Sequence, residues 1–215
     1  MPPTAGSSTA DHPRAAGPPP AVVLYLDVGH PESLIAAERA LQVMPVATEW
    51  IPVHLGPPRD ADLDALGRLV AAHGLPPLKA HPSFPFDAEA ANLAATFAKS
   101  TGRAVAFLQA ALRQAYAGGR DLSVHDNVLI AASACELHPR SVLKALETRG
   151  TRRTLETATA LARARGVTRA PAVFALGRLF EGDPGLDDAA ALLREHAALT
   201  GAEDAGLTVI PPGAP

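Results

Sequence analysis

The chain of 215 residues has a single cysteine, Cys135, so no disulfide can form within it and a disulfide-stapled secreted fold is excluded. No apolar run approaches the ~20 residues of a membrane-spanning helix. The first run, Ala21 to Leu26, is also shorter than the ~7–15 apolar residues of a secretory signal and follows a leader rich in Pro, Gly and Ser. The expected location is therefore cytoplasmic, with no membrane partner. Long blocks of like charge are absent and the net charge is −3, so nothing in the charge pattern calls for nucleic acid. There is no H-E-x-x-H pattern, no phosphate loop and no internal repeat. Cys135 and His138 form a C-x-x-H pair, but zinc needs three or four ligands and no others stand at fitting spacing, so no metal is expected.

What remains is a chain that is 47% hydrophobic, much of it alanine, which suffices for one domain of ordinary size with a subdomain. Ala21-Val22-Val23-Leu24-Tyr25-Leu26 reads as a strand covered on both faces. Pro31 is well placed to start a helix carrying Leu34, Ile35, Ala37 and Leu41, which stops near Pro45. Val46 to Leu55 reads as a second strand, with Pro52 near its end or at a sheet edge. Strand, helix and strand in this order form a βαβ unit with parallel pairing.

A helical stretch follows. Apolar spacing predicts helices over residues 60–73, from a cap at Asp87 to about Ser100, over 102–117, from a cap at Ser123 to about Glu136 with Cys135 inside it, from His138-Pro139, and over 151–165. Ala170 to Leu176 then reads as a strand, Gly177 turns it, and Arg178 to Glu181 returns as its hairpin partner. Gly182-Asp183-Pro184-Gly185 reads as a loop, and Leu186 to Leu199 as an amphipathic helix. The order is βαβ, an all-helical block, then ββα. This is an α/β protein with a mixed sheet of about four strands.

That order, with several short segments, resembles the DsbA-like branch of the thioredoxin superfamily, the group of kappa-class glutathione transferases, 2-hydroxychromene-2-carboxylate isomerases and cytoplasmic DsbA-type oxidoreductases. The segments are Tyr25-Leu26-Asp27-Val28 before a Pro-containing helix start, Glu49-Trp50-Ile51-Pro52-Val53-His54-Leu55-Gly56, Phe86 to Asn92 with Gly102-Arg103-Ala104, Gly166-Val167 before Ala170-Pro171, and Phe180-x-Gly182-Asp183. The resemblance implies a thioredoxin-like domain over residues 21–57 and 167–200 and a helical insertion over 58–166; the Pro-, Gly-, Ser- and Ala-rich composition reads residues 1–20 as a disordered leader and 201–215 as a flexible tail. The resemblance also implies glutathione as the cofactor to consider, and a homodimer.

Two departures matter. Where the redox members have Cys-x-x-Cys, this chain has His30-Pro31-Glu32-Ser33, so its own tetrad cannot perform dithiol exchange. Where the glutathione users have an Asp-Arg pair after the hairpin, this chain has Asp183-Pro184-Gly185, without the Arg.

The candidate catalytic residues are His30 and Ser33. An imidazole at a helix N-terminus is pushed toward its neutral form and can take up a proton near pH 7; the alternative is that His30 merely starts the helix. The resemblance makes Pro171 the cis-proline, whose neighbour Ala170 offers backbone N–H and C=O groups to an extended ligand. With Trp50, Gly182 and Asp183, these are the expected ligand-binding residues. Trp50, Phe84 and Phe86 line the cleft or belong to the core, and Arg103, Arg113 and Arg120 serve an anionic ligand or form a solvated helix face. Two functions stand side by side. One is an isomerase- or transferase-type enzyme for a small organic or glutathione-like ligand, and the other is a catalytically inactive binding or interaction module.

Overall fold

The computed structural model describes residues 22–58 and 61–200; the leader and tail expected at 1–20 and 201–215 lie outside them. Four strands and eight helices follow in the order β1 (Val22–Leu26), α1 (Glu32–Val43), β2 (Glu49–Pro52), α2 (Leu63–Ala72), α3 (Glu89–Ser100), α4 (Ala104–Tyr116), α5 (His125–Ser133), α6 (Pro139–Glu147), α7 (Arg149–Ala164), β3 (Ala172–Ala175), β4 (Arg178–Glu181) and α8 (Gly182–Thr200). The sheet runs β2-β1-β3-β4. β1 pairs in parallel with β2 and antiparallel with β3, and β4 closes an antiparallel hairpin with β3.

All five residues of β1 are buried, because each face of this central strand is covered. On one face Leu24 and Leu26 meet Leu34 of α1 and Leu186 and Leu193 of α8, in a cluster that continues into the helical block through Trp50, Phe107, Leu112 and Val128. On the other face Val23 and Tyr25 pack with Val53, Val167, Ala172 and Ala162 of α7. A third, small cluster holds α2 through Leu66 and Val70 against Ile35 of α1.

Several local expectations are corrected. The second strand is shorter than residues 46–55, because Pro52 has no N–H to give and ends the ladder; only Val53 N continues the pairing, to Leu26 O at 2.9 Å. The first turn of α8 is made by Gly182-Asp183-Pro184-Gly185, expected as a loop: Gly182 adopts φ +76° at the turn from β4, and Pro184 suits a helix's first turn, where no N–H is needed. Ser123 does not cap α5; the Asp121 carboxylate instead accepts from Ser123 N and Oγ. Cys135 lies just past the end of α5, buried, with its thiol donating to Ala131 O. Leu41 points outward and is 59% exposed; smaller Ala40 takes the inward position.

Candidate functional site

The carboxyl end of β1, the start of α1, the exit of β2 and the loop before β3 converge on one spot, and a buried carboxylate ties them. Asp27 is 1% exposed and accepts from Gly29 N (2.8 Å), Leu55 N (2.6 Å) and Asn92 Nδ2 (2.7 Å). Asn92, on α3, accepts from Val28 N through Oδ1, and Tyr116 of α4 donates to Val28 O. Burial, reinforced by the Asp27 charge, pushes the Tyr116 hydroxyl well above its ordinary pKa, so it acts as a fixed donor. The helical block thus reaches into the loop that presents the next residue, His30.

His30 is 7% exposed. The Ala170 N–H donates to Nδ1 at 3.4 Å, and Nε2 lies 3.0 Å from the Gly56 carbonyl. The Ala170 N–H facing Nδ1 and the Gly56 carbonyl facing Nε2 suit the tautomer that carries its proton on Nε2. The imidazole therefore bridges the β2 exit and the loop before β3, where the Ala170–Pro171 peptide bond is cis. Beside it opens a cleft of about 450 Å³, walled by Glu32, Gly56, Asp62, Leu66, Arg169 and Ala170 among others.

The expected site residues separate into two groups. His30 and Ala170 line this cleft, and Gly182 stands behind it. Its N–H donates to Pro171 O at 2.8 Å, and a Cβ there would come within 2.7 Å of the Arg169 guanidinium. Ser33 does not join His30 at the cleft wall: the turn of α1 carries its side chain inward, where Oγ is fully buried without a hydrogen-bond partner. Trp50 faces the core, since β2 sets it beside Leu24 in register. Asp183 is held away from the cleft by Arg39 (3.0 Å) and His73 (3.1 Å), which pin the start of α8 to α1 and α2. Phe84 and Phe86 pack on Tyr116, and Arg103 and Arg113 pair with Glu136 and Glu38. Burial raises the Cys135 thiol, which sits in the helical core and not at the cleft. Among the described residues no group of three or more His, Cys, Asp or Glu side chains is arranged to hold a metal ion, and no helix is long and apolar enough to cross a membrane.

The residues missing from the sequence reading are Asp27, Asn92 and Arg169. The signals available were an acid closing an apolar strand and an Asn inside the alanine-rich stretch Ala88 to Ala98.

No protein-family model and no curated protein sequence matches the chain. Solved structures do. A 2-hydroxychromene-2-carboxylate isomerase superposes with a TM-score of 0.68 at 15% identity, covering 86% of this chain and 97% of its own. A probable DsbA oxidoreductase from Streptomyces coelicolor gives 0.66 at 19% identity, covering 81% and 89%. The cytosolic disulfide reductase DsbM from Pseudomonas aeruginosa, solved with GSH, gives 0.59 at 17% identity, covering 82% and 98%. At these identities the likeness establishes the fold, a DsbA-like thioredoxin fold with a helical insertion.

Proposed function

We propose that this protein binds a small organic, glutathione-like ligand in the cleft beside His30 and acts on it by proton transfer of the isomerase or transferase kind, without dithiol exchange of its own. One observation carries the reading: the cleft is open and walled by polar groups, not filled by the chain's own side chains. His30 can take up a proton and, as the imidazolium so formed, give one back. Its bond from Ala170, at 3.4 Å, is long and therefore weak, so a ligand can displace it and leave Nδ1 to accept a proton. In an isomerisation the imidazole takes a proton from one ligand atom and returns one to another, so no co-reactant is consumed. Arg169 and the Ala170 backbone are the proposed binding groups, with Pro171 and Gly182 shaping the loop that presents them. An isomerase and a GSH-bound reductase among the structural neighbours support this choice of ligand, and the cytosolic reductase supports a cytoplasmic location.

A second reading, a catalytically inactive interaction module or homodimer, is favoured by a different observation: both ring nitrogens of His30 are satisfied within the chain. A calorimetric titration with reduced glutathione up to millimolar concentration separates the two. Heat that weakens in His30→Ala supports the enzyme-like reading. No heat and no thermal shift would reject glutathione-like binding and leave the interaction module.

A further inference from the structure

Two opposite charges meet at Gly182 without pairing. A Cβ on that residue would stand 2.7 Å from Arg169 Nη2 and 3.4 Å from Glu32 Oε2. Exposed Arg169 and half-buried Glu32 therefore reach one small region, and both line the cleft beside His30. No ion pair or hydrogen bond joins them, and neither head group has such a partner among the described residues. The other carboxylates near Arg169 are committed elsewhere. Glu181 accepts from Thr168 N, Thr168 Oγ1 and Arg169 N, and Asp183 is held by Arg39 and His73.

The cleft as a whole is of mixed sign. Its walls hold two carboxylates, Glu32 and Asp62, and one guanidinium, Arg169, beside the His30 imidazole. Asp62 is engaged in capping α2, where it accepts from Ala65 N, whereas Glu32 caps nothing. A ligand bearing only negative charge would face two carboxylates, and a purely cationic one would face the guanidinium. A ligand with both signs close together is matched at both, which is the complementarity that confers specificity. The remaining walls are mostly apolar, through Leu55, Pro57, Pro58, Ala61 and Leu66. At about 450 Å³ the cleft has the size of a small-molecule site.

We infer that the cleft takes an α-amino acid zwitterion with an apolar side chain, its carboxylate held by Arg169 and its ammonium by Glu32. Such a ligand carries both charges on one carbon, the spacing that two side chains gathered at one point can serve. The absence of a side chain at Gly182 leaves the Arg169 guanidinium its place. This deepens the proposed function, resting on it only for the cleft being a ligand site.

The test is a titration of the full chain with L-phenylalanine, with phenylpropionate, which lacks the ammonium, and with phenethylamine, which lacks the carboxylate. Binding is read from the amide chemical shifts of Gly56 and Ala170. Phenylalanine is expected to shift both, and each one-charge analogue to bind about two- to fivefold more weakly, the worth of a partly exposed ion pair. Glu32→Gln should bring phenylalanine down to the level of phenylpropionate, and Arg169→Gln down to that of phenethylamine. Arg169→Lys keeps the charge and should keep most of the preference. Arg153→Gln, on α7 and outside the cleft walls, should change nothing. An analogue that binds as tightly as phenylalanine, a preference unchanged in Glu32→Gln and Arg169→Gln, or no phenylalanine binding at its solubility limit would overturn the inference. The glutathione titration reads separately. Heat from glutathione that weakens in His30→Ala, with phenylalanine and its analogues indistinguishable, removes the zwitterion and leaves the cleft a ligand site. Discriminating phenylalanine binding without heat from glutathione keeps this inference and removes glutathione.

Discussion

Replacing Asp27 by Asn changes one oxygen for an NH₂ group and hardly alters shape, so it isolates what the buried carboxylate does. In the native protein Oδ1 accepts from Gly29 N and Asn92 Nδ2, and Oδ2 accepts from Leu55 N. An Asn side chain keeps the two bonds at Oδ1 only by turning its NH₂ toward the Leu55 N–H. Donor then faces donor, and that partly buried backbone group is left unpaired. An orphaned buried donor costs ~1–3 kcal/mol, and the two retained bonds lose the strength that a charged acceptor gives them. The sum is about 2–4 kcal/mol. At roughly 2–4 °C per kcal/mol for a domain of this size, Tm should fall by roughly 4–16 °C. Urea unfolding followed by circular dichroism should show a lower midpoint with an unchanged slope. Amide exchange should accelerate most at Leu55 and Gly56, the segment that holds His30. A midpoint within error of wild type would mean that Asp27 does not tie these loops, and the account of how His30 is positioned would fail with it.

Three other outcomes follow from the same reasoning. Partial desolvation raises the Asp121 carboxyl, but hydrogen bonds from Ser123 and Ser83 outweigh it and leave its folded pKa below the ordinary value. A depressed folded pKa stabilises above the unfolded value of about 4 and loses that stabilisation as pH falls through the folded one. Asp121→Asn should therefore cost stability at pH 6 and little at pH 2.5, as read by urea midpoints. Tyr116→Phe leaves Val28 O without its donor and should cost ~1–2 kcal/mol by denaturant unfolding; in wild type the Tyr116 phenol should show no ultraviolet titration before the protein unfolds. Gly182→Ala pushes a methyl into the Arg169 guanidinium at a backbone φ of +76°, so it should destabilise by about 1–2 kcal/mol and disturb ligand binding at the cleft, both measurable in one thermal-shift series.

The strands and most helices were legible because their signals are local. The uninterrupted run Val22 to Leu26 announces a central strand, and Gly177 between two short apolar runs announces a hairpin. Residues 182–185 were misread because Gly and Pro mark loops on average. Here a positive φ at Gly182 and a proline in the first helical turn let the same residues begin α8. The position of His30 was legible from the helix start that follows it, but its two partners, Gly56 and Ala170, stand 26 and 140 residues away. The orientation of Trp50 depends on the register of β2 against β1, and that of Asp183 on Arg39, 144 residues distant. Such pairings arise only on folding, and no pattern within a short window encodes them.

The large hydrophobic cluster runs without a break from Leu24 in the sheet through Trp50 to Phe107 and Val128 in the helical block. Neither part finishes its own interior. A fragment made of the helices alone would show water the apolar faces that β1 and β2 cover, and the sheet without the helices would do the same. The expected calorimetric trace is therefore one transition, and separately expressed halves should aggregate unless they meet. The insertion is in that sense as much a part of the foundation as the sheet into which it is spliced.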